Sequence, residues 1–390
     1  MKLYRLAVPI GVGLFMALAT VAAFAGGRPA PAGPPLFNAS ETNLSPSSFA
    51  DQIHVDASGR LWISEVFSGA VREFDPATNA YTLYSGLTKT VDAQLGPDGN
   101  LWWAGGSASQ NLSRMDLGSR LVTSWPLSVT GVQAVAFDSS QRVWAAAAII
   151  KIGLYRLDPA LNQLCDVDLP DNGQSLTLVA QNGELWVGDI SNQRIGRIDP
   201  ATNAFTYWSL ASLGGFPRPA GFAFDPSGNV WWADSGLSKI GRLQPNSNQA
   251  ALFGPAGLSG PQRVAYSNGK VWFTDPFTAS LGYLDPAVAV GSAPVVVTPT
   301  TTSLTPVCAS VAPAPAFTAH MTTGVASFSP VVFTTTTAGS QGTLYQAPAG
   351  GGPWGLALVG FNLYATDIGR DKLIHIDTAA AHLFLPLARR

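Results

Sequence analysis

The chain has 390 residues, of which 46% are hydrophobic and only 12% charged, with 40 Gly and 29 Pro. That much Gly and Pro excludes a coiled coil or a helical bundle. Lys+Arg at 22 against Asp+Glu at 24 leaves a net charge of −2, with none of the basic excess that gripping a phosphate backbone requires. Nucleic acid is therefore not an expected partner. Two Cys exclude a disulfide framework, and four His leave little room for a His-rich metal site.

Taken from its start, the chain opens with Lys2 and Arg5 before an apolar run from Leu6 to Ala25 that ends in Ala23-Phe24-Ala25. This is the layout of a signal peptide cut after Ala25, so residues 1–25 are read as removed and the protein as secreted, periplasmic or cell-surface. The rival is an uncleaved membrane anchor, because about 20 apolar residues can span a bilayer. Once the segment is cut, no membrane association is expected. Residues 26–36 form a Pro/Gly-rich linker, and 37–390 the folded body.

An aromatic motif then recurs through the chain: LWISE, LWWAG, VWAAA, LWVGD, VWWAD, VWFTD and LYATD. Its anchors are Trp62, Trp102, Trp144, Trp186, Trp231, Trp272 and Tyr364, spaced by 40, 42, 42, 45, 41 and 92 residues. The last gap is one period plus an insertion. Each unit carries alternating apolar strands joined by Gly and Asp-Pro turns, which builds a four-stranded antiparallel sheet. Units of this length arranged radially are β-propeller blades. The expectation is an all-β, seven-bladed β-propeller that stays a monomer, with the aromatic series packed between blades.

The insertion, residues 287–342, interrupts blade six and is rich in Thr, Pro, Ala and Val. It reads as a small β-extension of that blade, with 342–348 as the blade's delayed fourth strand. Cys165 falls in blade three and Cys308 in the insertion. Blades three and six are not neighbours, so the two cysteines are expected to stay apart.

Two sets of residues draw attention as candidate sites. Three positions after five of the aromatics stands a carboxylate: Glu65, Asp189, Asp234, Asp275 and Asp367. Radial symmetry places them on one side of the disc, where they could hold Ca²⁺ or Mg²⁺. Their repetition favours the plainer reading, in which each caps its own turn. The starts of the inner strands face the central channel and vary from blade to blade. They offer Asp51, Gln52, Asp92, Gln133, Thr177, Arg218, Gln262, Arg263 and Trp354, a set suited to a polar or sugar-like ligand. Among the four His, His54 is the only candidate base on an inner strand, whereas His375 sits where other blades carry a strand-three Arg. No hydrolase, zinc-protease or nucleotide motif occurs.

The unit D-x-x-G-x-[LV]-W-[FW]-[TA]-[DE] followed by [IL]-G-R-[IL]-D resembles the virginiamycin B lyase (streptogramin lyase) family. It is fullest in DPSGNVWWAD (225–234) and KVWFTD (270–275). The resemblance implies a seven-bladed propeller and elimination across an ester bond of a cyclic depsipeptide, with a His base and Mg²⁺ held by acidic groups. The family's E-P-H pattern falls here on Gly352-Pro353-Trp354, and a further His falls at Gln262 or Arg263. Of the family's acids, Asp367 is kept. A Trp cannot abstract a proton, which leaves His54 and Asp367 as the catalytic candidates. The leading expectation is a propeller that binds a small molecule or surface polymer at its channel mouth. The alternatives are a displaced-residue lyase and, third, a gluconolactonase-type hydrolase, against which the seven-blade count argues.

Overall fold

The computed structural model describes residues 38–105, 111–127, 131–147, 153–254, 257–331, 336–338 and 341–378. The segments expected to form a signal peptide and linker, residues 1–36, lie outside the described residues. Seven antiparallel sheets surround a central channel. Blade 1 is built from Ala50–Val55, Leu61–Glu65, Ala70–Phe74 and Ala80–Ser85, and the later blades repeat this up-and-down order. The ring is closed by two distant segments. Asn38–Asn43 pairs with Lys372–Asp377, so the first described strand serves as the fourth strand of blade 7.

The repeated motif has a local physical basis. In blade 5, Asp225 Oδ1 accepts the N–H groups of Ser227 and Asn229, closing the turn, while Oδ2 accepts the Trp231 indole N–H at 2.9 Å. Asp56–Trp62, Asp98–Trp102 and Asp138–Trp144 repeat the bond. The polar edge of each indole is thus satisfied while its body is buried between blades, with Trp62, Trp144 and Trp231 at most 1% exposed. From strand three an Arg stacks on this ring in blades 2 to 5, as Arg242 does on Trp231 at 5.5 Å. In blade 7 the slot holds His375, stacked on Tyr364 at 4.8 Å. Burial holds the His375 imidazole below its ordinary pKa, consistent with a neutral packing ring.

Three expectations are corrected. Every blade has five strands, because the insertion does not stay with blade 6. It leaves that blade and adds an outermost strand to each blade in turn: Val295–Val296 on blade 5, Pro299–Ser303 on blade 4, Val307–Ser310 on blade 3, Phe317–Thr318 on blade 2, His320–Val325 on blade 1, Ser329–Val331 on blade 7 and Thr336–Ala338 on blade 6. The chain then returns as Gln341–Gln346, the fourth strand of blade 6. The insertion is a belt around the rim. Because it passes blade 3, Cys165 and Cys308 face each other across paired strands and form a disulfide, which blade adjacency alone had argued against.

The belt keeps a regular step. The backbone N–H groups of Val297, Leu304, Val311, Ala319 and Ala326 donate to the carbonyls of Asn248, Asn203, Asn162, Arg120 and Asn79. Each acceptor residue has positive φ at the outer turn of its own blade. Val297, Leu304 and Ala319 are buried, pinning the belt to the outer edge of successive blades. An extended stretch of seven residues covers about 23 Å, one blade's share of the rim.

Candidate functional site

The inner strands begin irregularly. In six of the seven blades the pairing of strand one with strand two shifts register near its start. The residues displaced are Asp51 and Gln52 in blade 1, Asp92 in blade 2, Gln133 in blade 3, Thr177 in blade 4, Gly221 in blade 5 and Trp354 in blade 7. Such bulges re-aim side chains out of the sheet. Asp92 has φ of 52°, a left-handed conformation that a non-Gly residue adopts at a cost.

These bulges bring part of the expected set together. His54 Nε2 lies 2.5 Å from Asp92 Oδ1, a contact between neighbouring blades. The other Asp92 oxygen accepts the Val135 N–H of blade 3 at 2.6 Å. Arg263, from blade 6, donates Nε–H to Gln52 Oε1 at 3.0 Å and stands 3.9 Å from Asp51 Oδ1. Burial raises the pKa of Asp51, and the nearby Asp92 raises it further. Arg263, the Trp354 indole and His54 pull it back only in part. His54 keeps 32% of its side-chain exposure, while Asp92 keeps 6%. The arrangement joins a carboxylate-held imidazole to a carboxyl that holds its proton more tightly than usual.

Other members have different employment. The Gln262 amide donates to Gly260 O, within its own loop. Thr177 Oγ1 accepts the Gly221 N–H of the next blade. Arg218 uses its backbone N–H to hold Asp234. Gln133 occupies its bulge, half-buried.

Three residues that support the site lie two positions after an aromatic anchor. Ser64 Oγ accepts the Ala93 N–H beside Asp92 at 2.7 Å. Thr366 Oγ1 accepts the Gly355 N–H at 2.8 Å and donates to Asp51 O at 3.3 Å. Thr274 Oγ1 donates to Trp354 O at 2.8 Å. All three are fully buried. The same position holds Ala104, Ala146, Gly188 and Ala233 in blades 2 to 5. The hydroxyls thus occur only on the arc of blades 6, 7 and 1 and fix the bulges carrying Trp354, Asp51 and Asp92. Sequence reasoning passed over them, although this asymmetry in the repeat was there to be read.

The five carboxylates proposed for metal are each fully buried and engaged by their own blade. Asp234 accepts the N–H groups of Arg218, Gly236 and Leu237 and the Trp232 indole. Asp275 accepts those of Ser259, Gly260, Phe277 and Thr278. Asp189 pairs with Arg194 at 2.6 Å and also holds Gln174 N–H, while Glu65 pairs with Arg72 at 2.7 Å. Asp367 accepts from Gly352 and Gly369 and lies 3.4 Å from Arg370. Four of the five therefore fasten the loop that enters their blade's inner strand. Among the described residues no group of three or more His, Cys, Asp or Glu is placed to share a metal ion. This donor set does not fit the Mg²⁺ that the resemblance implies.

No family model matches the sequence, and no curated protein matches it. Among solved structures the chain is similar to virginiamycin B lyase from Staphylococcus aureus, at 15% identity and a TM-score of 0.64, over 87% of this chain and 99% of that one. A catalytically inactive form of that enzyme with quinupristin aligns at 14% identity and 0.65, over 87% and 99%. A streptogramin B lyase aligns at 15% and 0.64, over 87% and 97%. At such identities the likeness establishes the seven-bladed fold.

Proposed function

We propose that the chain is a secreted propeller that binds a small polar ligand at the channel mouth formed by Asp51, Gln52, His54, Asp92, Arg263 and Trp354. The observation that carries this reading is the convergence of acid, base and cation from four blades, with Asp51, Asp92 and Trp354 on the bulged starts of their inner strands. A half-buried carboxyl with a raised pKa and a left-handed Asp are costs that an ordinary channel lining would avoid. Quinupristin, bound by one of the similar structures, is a suitable first probe. Calorimetric titration is expected to show binding that weakens at least tenfold in Arg263→Ala. No heat with quinupristin or with linear and cyclic polar peptides would refute the site.

A second reading is favoured by one contact, His54 with Asp92. Asp92 orients the imidazole, and His54 accepts the proton on the carbon next to the one that bears the ester's alkyl oxygen, a proton acidified by an adjoining amide carbonyl. The bond from the neighbouring carbon to that oxygen breaks as the C=C bond forms, and the oxygen departs in a carboxylate, to which Asp51, whose carboxyl holds its proton more tightly than usual, can return a proton. No step uses a metal. Mass spectrometry of quinupristin after incubation tests this: linearisation at unchanged mass supports elimination, and His54→Ala then slows it about 10²–10⁴-fold. Intact quinupristin throughout leaves binding as the function.

A further inference from the structure

The belt differs in chemistry from everything it surrounds. Residues 287–340 contain no Asp, Glu, Lys or Arg, although the whole chain carries 24 acidic and 22 basic residues. They hold 12 Thr and 6 Ser. Every Ser and Thr described between 287 and 331 is exposed, including Thr298, Thr300, Thr301, Thr302, Ser303 and Thr305. Between them only Leu304 is buried, at 6%. The inward positions are thus apolar anchors and the outward positions are hydroxyls.

The rim also exposes large apolar side chains. Val290 is 93% exposed, Val325 73%, Val307 71% and Val296 70%, and Val288, Phe317 and Met321 join them. An uncharged band of this kind around a whole molecule is an association hazard unless something hydrophilic covers it. Strand-edge protection by charge, the usual device, is missing here. The hydroxyl density supplies the alternative. Ser/Thr-rich segments with interspersed Pro are a composition that carries O-linked sugars, and Pro299 and Pro306 bracket the Thr300–Thr305 cluster.

We infer that the belt is a modification site whose exposed hydroxyls, foremost Thr298–Thr305, carry O-linked sugars. In the transfer, the anomeric carbon of an activated sugar bonds to Thr Oγ1. The phosphate of its nucleotide or lipid carrier departs, and the hydroxyl proton passes to a base of the host transferase. The sugars then stand outward from the rim, shielding the exposed valines and leaving the channel mouth untouched.

Intact-mass measurement on the chain recovered from its own host, with its N-terminus sequenced, tests the inference. Trypsin finds no Lys or Arg between Lys270 and Arg370, so the whole belt is released on one fragment after reduction of the disulfide. Sugar-sized increments are expected on that fragment, removable by alkaline elimination and reduced in the T300A/T301A/T302A/S303A variant. A second variant, T322A/T323A, keeps the test informative if the first folds poorly, since its loss should be smaller but of the same kind. A 271–370 fragment at its sequence mass overturns the inference. Self-association of such an unmodified chain would then assign the rim to a second copy.

Discussion

Asp51 is a residue whose position costs stability. Its folded-state pKa is raised above the ordinary 3.8 by burial, so the folded chain takes up this proton more readily than the unfolded chain. Below the ordinary value both states are protonated and the favourable contribution is fully present. It is lost as pH rises through the raised pKa. Asp51→Asn is therefore expected to melt higher than the wild type at pH 7–8, by about 1–3 °C. That advantage should vanish as the pH approaches 4, and thermal melts across pH check it. The starts of the inner strands were legible in the sequence, because they recur at the same place in each unit, but which of their residues meet was not. The His54–Asp92 pairing was not, since it depends on how two neighbouring inner strands lean toward each other.

At the scale of the element, each blade is held by side chains doing two jobs. Trp231→Ala would open a cavity between blades 5 and 6 and leave Asp225 short of one donor. It should cost about 3–5 kcal/mol in denaturant titrations. Ser64→Ala and Thr366→Ala would each strand a buried N–H, that of Ala93 or of Gly355, at about 1–3 kcal/mol. Both should also weaken ligand binding without touching the ligand, whereas truncation of the equivalent small residue in blade 3, Ala146→Gly, should leave affinity unchanged. The Asp-turn-Trp motif could be read locally because all its partners lie within six residues. The carboxylates at the end of strand two were read correctly for place, and of the two employments the sequence offered, the turn cap is the one Asp234, Asp275 and Asp367 have. What the motif did not show is that Glu65 and Asp189 each also pair with an Arg of the next strand.

For the whole molecule, the belt and the closing strand decide how the disc holds together. The disulfide closes a loop with a sequence separation of 143 residues. By the chain-entropy argument its removal in the Cys165→Ser/Cys308→Ser variant should cost up to about 5 kcal/mol. Comparison of melts with and without reductant checks the figure on the wild type. The blade count and the interrupted sixth unit followed from the 42-residue period. The belt did not, because its seven-residue step is short, its anchors are ordinary Val, Leu and Ala, and its partners lie far off in the chain, as Asn79 does from Ala326 and Ala39 from Val331.

A hoop works on a barrel by resisting the parting of any two staves, whichever pair is strained. The belt crosses the seams between blades in the order opposite to the chain within the disc, so no seam can gape without lengthening a segment that is already extended. Its grip should appear in rates more than in equilibria: a single proteolytic nick in the exposed 312–316 stretch would slacken every seam at once. Unfolding would accelerate around the whole circumference, while refolding of the blades, which needs no hoop, would keep its pace.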